Sequence, residues 1–167
     1  MPSVRRLALL LSLAVVLGFG LRALVRALAS DETRIRWRVE EMAEGFDATR
    51  MNPILAGLAH DFVDDGSGAT KEELRAALAQ AFLQRKDPVT KAFPWRVKLR
   101  EGEPRARVAG GEPRTAEFDT ELAFEESHGA EWTPCWRVRV HAELIDTDDG
   151  WKIRRTRVDT LDGRRMR

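Results

Sequence analysis

At 167 residues the chain has room for one domain with its own core plus an appendage. Its single cysteine, Cys135, excludes an internal disulfide and offers no cysteine-based metal spacing. The formal net charge of +1 hides a split: residues 1–29 carry Arg5, Arg6, Arg22 and Arg26 and no acid, leaving 24 basic against 27 acidic side chains in the rest. A mildly acidic body lacks the basic footprint of a nucleic-acid binder.

Leu7 to Leu21 is an uninterrupted run of apolar and small residues behind Arg5-Arg6. Fifteen helical residues span about 22 Å, short of the ~30 Å hydrocarbon core of a bilayer. Extension to Leu28, with Arg22 and Arg26 reaching the headgroups, makes a single-pass anchor over residues 7–28. The very short N-terminal tail favours an extracytoplasmic domain on a cell membrane. The alternative is export with signal cleavage near Ala29, at the small-x-small site Ala27-Leu28-Ala29. Residues 1–29 are thus signal-anchor or signal peptide, and 30–34 a polar joint.

From Ile35 the positions Ile35, Val39, Met42, Ala43 and Phe46 follow helical spacing, ending near Gly45 and Asp47. Asn52-Pro53 reads as the cap and first position of a short second helix that buries Ile54, Leu55, Leu58 and Ala59. Phe62-Val63 has room for only a brief strand. Thr70-Lys71-Glu72-Glu73 is a capping box opening a third helix to about Arg85, with Leu74, Ala77, Leu78, Ala81 and Phe82 on one stripe.

Everything after Asp87-Pro88 reads as strand. Trp95, Val97 and Leu99 alternate with Arg96, Lys98 and Arg100. Glu101 to Pro104 is a turn, Arg105 to Ala109 a short strand, and Gly110 to Pro113 another turn. Thr115–Glu126 and Trp132–Asp146 then alternate apolar with charged residues at length, which describes long antiparallel strands with one dry face. Asp148-Asp149-Gly150 is a hairpin turn into Trp151–Val158. The expected fold is α+β: three helices on the apolar face of a curved antiparallel sheet of four to six strands, spanning 35–160, with a basic tail at 161–167.

Three places resemble the nuclear transport factor 2-like (NTF2-like, SnoaL-like) superfamily of cone-shaped α+β domains. They are Glu44-Gly45-Phe46-Asp47-Ala48 leading to Leu58-Ala59-His60-Asp61-Phe62, the Thr70–Leu74 helix start, and the Asp148–Ile153 hairpin. The resemblance implies a conical pocket between sheet and helices. It also implies a superfamily of isomerases, dehydratases, epoxide hydrolases and many members without catalysis. The isomerases use a tyrosine in their oxyanion site, and this chain has no tyrosine. The dehydratases use a histidine–aspartate pair, for which His60 and Asp61 are the only adjacent candidates. Neighbours on a helix point about 100° apart and would not converge on one substrate.

His141 and Glu143 share a strand face but lack a third ligand, and His128 sits in a turn, so no metal site is expected. No cofactor motif is visible. The pocket wall is expected from Trp95, Phe118, Thr120, Phe124, Trp132, Trp136, Trp151 and Arg155, with Ile153 and Arg157 beside them. This set suits an apolar ligand with an anionic end. The competing expectation is that the aromatics simply pack against Trp37, Met42, Phe46, Leu78 and Phe82. The reading that follows is a non-catalytic, membrane-tethered or exported domain that binds a partner protein or an apolar ligand. Its exposed sheet face is a candidate homodimer surface. The alternative is a small-molecule lyase or isomerase using Asp61 or His60.

Overall fold

The computed structural model describes residues 28–87, 92–100, 105–129 and 131–163. The apolar run of the leader, the 101–104 turn and the last four residues of the basic tail lie outside them. Among the described residues three helices, α1 (Asp31–Asp47), α2 (Met51–Ala56) and α3 (Lys71–Gln84), accompany six strands. The strands are β1 (Leu58–Asp64), β2 (Trp95–Leu99), β3 (Arg105–Ala109), β4 (Thr115–His128), β5 (Glu131–Thr147) and β6 (Gly150–Gly163).

Helix α1 starts earlier than the apolar spacing suggests. Ser30 caps it by accepting a hydrogen bond from the Thr33 N–H, and Asp31 and Glu32 sit favourably in the first turn. The segment read as a joint is therefore the cap and first turn of the helix. At the far end Thr49 takes a left-handed conformation (φ 53°), and the Arg50 N–H returns to the Gly45 carbonyl. Asn52 does not cap α2. The cap position is Arg50, and Pro53 falls inside the first turn, where its missing N–H has no helical partner to lose. The capping box of α3 forms as its sequence dictates, with reciprocal bonds between Thr70 and Glu73.

The second helix is shorter than expected. It stops at Ala56, and Leu58 and Ala59 belong to β1, which pairs in parallel with β6. The sheet is therefore mixed. Its order is β1-β6-β5-β4-β2, with β3 following β2 along the same edge of β4. All its other pairings are antiparallel.

The helices cover one face. The main core gathers Ile35, Leu55, Leu58, Phe62, Phe118, Leu144, Trp151 and Ile153. A smaller cluster of Ile54, Leu78 and Phe82 joins α2 to α3. Three insertions punctuate the long strands. Cys135 has no partner on β4, and neither Leu161 nor Arg154 has one on β5. Each insertion bends its strand and exchanges the faces of the residues beyond it.

Phe118 is 2% exposed at the centre of the main core. Phe118→Ala is expected to lower unfolding stability by about 3–5 kcal/mol, read as a shifted urea midpoint at constant m-value.

Candidate ligand-binding site

Six of the eight side chains expected to wall a pocket lie on the helix-facing side of the sheet. Phe118 and Trp151 are fully buried, and Thr120 is buried two residues from Phe118 on the same face of β4. Trp151 donates its indole N–H to Asp31 at 3.3 Å, and Arg114 lies over its ring at 5.7 Å. Phe124 and Trp136 stack at 5.0 Å, and Phe124 meets Phe46 of α1 edge-on at 5.8 Å. Phe46 continues to Phe82 and Phe93, and Phe93 to Trp95. Edge-to-face contacts thus join α1, α3, β2 and β4, and the stacked Phe124–Trp136 pair adds β5. Packing of the aromatics against Phe46 and Phe82 matches the competing expectation for these rings.

Trp132 and Arg155 lie elsewhere. The unpaired Cys135 reverses the alternation of β5, so Trp132 pairs with Ser127 and shares the outer face with Glu125. There the Arg96 guanidinium lies 4.3 Å above its ring. In β6 the unpaired Arg154 does the same. Arg155 pairs with Glu143 on the outer face and reaches Asp65 at 3.5 Å. Arg157 pairs with His141 on that face, 3.4 Å from Asp159.

The outer face carries a ladder of cross-strand charges. Glu121 bridges Arg100 and Arg139, at 2.6 and 3.0 Å. His141 stands between Asp119 and Asp159. Glu125 is an acid with little exposure on this face and binds Arg96 at 2.6 Å and Lys98 at 3.1 Å. Burial pushes its carboxyl up, but the hydrogen bonds and charges of Arg96 and Lys98 outweigh burial and hold it below its usual range.

His60 and Asp61 stand on β1, not at a helix end. The His60 side chain is 94% exposed. Asp61 accepts a hydrogen bond from Arg154 at 2.7 Å. Its other oxygen is buried without a hydrogen bond, 3.8 Å from the His60 ring. Burial opposes ionisation of Asp61, and the Arg154 contact overcomes it, holding the carboxyl below its ordinary value. A solvated imidazole beside an ion-paired carboxylate does not form a base–acid pair aimed at one substrate. Among the described residues no three His, Cys, Asp or Glu side chains are placed to hold a metal ion.

A cleft of about 450 Å³ opens where β2 begins, at the edge of the sheet. Phe93, Trp95 and Trp132 supply its rings, Lys86 and Arg96 its positive charges, and Asp47 its carboxylate. Asp47 ends α1 and accepts the Val97 N–H at 2.7 Å, so it ties the helix to the edge strand. Burial pushes its carboxyl above the ordinary value. A larger cleft between residues 111–114 and 146–148 has no aromatic wall. Its arginine, Arg114, is already paired with Asp31 and Asp146. Asp47 reads in the sequence only as a helix stop, and nothing in one strand's alternation shows that Arg96 and Trp132 meet.

No family model matches the chain, and no curated protein sequence matches it significantly. Solved structures do. An NTF2-like protein with a cystatin-like fold from Novosphingobium aromaticivorans shares 15% identity over 89% of this chain and 90% of its own, with a TM-score of 0.59. A provisional scytalone dehydratase from the same organism shares 12% over 81% and 88%, at 0.60. A ketosteroid isomerase-like protein from Erwinia carotovora atroseptica shares 14% over 81% and 99%, at 0.53. The chain has the cystatin-like α+β fold of the NTF2-like proteins. At these identities it is the fold that is common.

Glu125→Gln is expected to cost about 2 kcal/mol at pH 7, the scale of a hydrogen bond to a charged group. Because the folded carboxyl titrates below its ordinary 4.5, the contribution is complete above that pH and lost as pH falls through the folded value. Urea midpoints followed from pH 7 to pH 3 should therefore converge for wild type and variant.

Proposed function

We propose that this chain is a non-catalytic NTF2-like domain that binds an apolar ligand or a partner protein, held at a cell membrane by residues 7–28 with the domain on the extracytoplasmic side. The observation that carries the binding reading is the make-up of the helix-facing side. Aromatic rings meet there, while His60 stands on β1, His141 on the outer face and His128 at the exposed end of β4; the carboxylates that reach the helix-facing side, Asp31 and Asp47, are engaged by Arg114 and Trp151 and by the Val97 N–H. An interior of this kind favours apolar contact over proton transfer.

The lyase or isomerase alternative draws on the solved structures described as a scytalone dehydratase and as ketosteroid isomerase-like. For it to hold here, Asp61 or His60 would have to reach a bound substrate. Asp61 would first have to leave Arg154. The outer face, with its ion-paired ladder, is the surface on which two copies would meet.

Among the described residues no helix is long and apolar enough to cross a membrane, so the anchor rests on the composition of the leader. Cell fractionation tests it: the intact chain should sediment with membranes and resist extraction by high salt. Recovery of the intact chain from the soluble cytoplasm would refute the location. For function, the expected result is a hydrophobic compound co-purifying with the full-length chain, identified by mass spectrometry. His60→Ala and Asp61→Asn should leave its recovery unchanged. Turnover of such a compound by the wild type, abolished in Asp61→Asn, would favour the enzyme instead.

A further inference from the structure

We infer that the cleft at the start of β2 is a binding site for a planar aromatic monoanion, a two-ring carboxylate in size and chemistry. The inference rests on the binding reading above and assigns it a place and a ligand class. A volume of about 450 Å³ suits a small organic molecule. Trp132 remains 36% exposed, high for an indole, although Arg96 covers part of it. It reaches this position because Cys135 is inserted between the two paired runs of β5. The exposed indole and the ring of Trp95 give a flat ligand apolar surfaces to lie against.

The charges select the sign. Glu125 is one carboxylate shared by two cations, Arg96 and Lys98, and Arg96 also acts on the Asp47 carboxylate, so with Lys86 three positive groups stand against two negative ones at the rim. Among the described residues Arg96 donates its hydrogen bond to Glu125 from Nε, so both Nη groups stay open to grip a carboxylate in a fork. Lys86 adds a second positive charge, with no ion pair among the described residues. The opposing group, Asp47, has one oxygen engaged by the Val97 N–H. Burial already disfavours its charge. A neutral ligand would use the rings alone, and a cationic one would meet Arg96 and Lys86.

The test titrates the full-length chain with 2-naphthoate and its neutral isostere 2-naphthamide, following tryptophan fluorescence and heat. Saturable binding of the naphthoate is expected, about tenfold tighter than the amide, the size of one charge-assisted hydrogen bond. Lys86→Gln changes an exposed side chain and leaves the fold intact. It should weaken naphthoate and not naphthamide, and Trp132→Ala should weaken both. Equal affinity for acid and amide would overturn the anion assignment. Binding that survives Lys86→Gln and Trp132→Ala but fails in Phe124→Ala would overturn the cleft and leave the binding reading standing. If neither probe binds and no compound co-purifies, both fall.

Discussion

A strand has two faces, and one inserted residue exchanges them. Where Cys135, Arg154 and Leu161 are inserted decides which side chains of β5 and β6 meet the helices and which meet water. The insertion at Cys135 sends Trp136 to the Phe124 stack and Trp132 to Arg96, four residues apart and on opposite sides of the sheet. The insertion at Arg154 frees that side chain for Asp61 on the edge strand and turns Arg155 outward. Backbone close to an insertion is crowded. Any side chain at Gly163 would collide with the Cys135 carbonyl, and that glycine also holds a φ of 79°.

Local rules were readable where one residue pattern carries them. The capping box of α3 and the alternation of β4 depend on side chains near one another in sequence, and they form as the pattern dictates, whereas the alternation of β5 breaks at Cys135. The parallel strand β1 did not announce itself. Leu58 and Ala59 are both buried, and the register with β6 slips between Leu58 and Val63, so the segment shows no clean period of two. The joint at 30–34 was misread for a related reason: a capped first turn of polar residues looks like a linker until the helix behind it is placed.

The site was legible in composition and not in arrangement. The aromatics of β2, β4 and β5 could be assigned to a dry face from alternation alone, and six of eight expected wall residues lie there. Trp132 and Arg155 could not, because insertions leave no mark in a single strand. Asp47 was invisible as a site residue for a different reason. Its importance comes from a backbone N–H fifty residues away, on a strand edge that needs a partner. The chemistry thereby divides into layers: rings within, ion pairs without, and a carboxylate at each end of α1, Asp31 and Asp47, at the seam between them.

The tie at the start of α1 has a consequence for orientation. Asp31 is held by both Arg114 and Trp151, so the first turn of the helix cannot swing away from the sheet. On the tethered reading, only Ala29 and Ser30 separate the membrane segment from this clamp. Helix α1 is a rigid spacer within the domain: seventeen residues at 1.5 Å each set Asp47 and the cleft beside it about 25 Å from the Asp31 clamp, so the two ends of one helix hold two different carboxylates against the sheet.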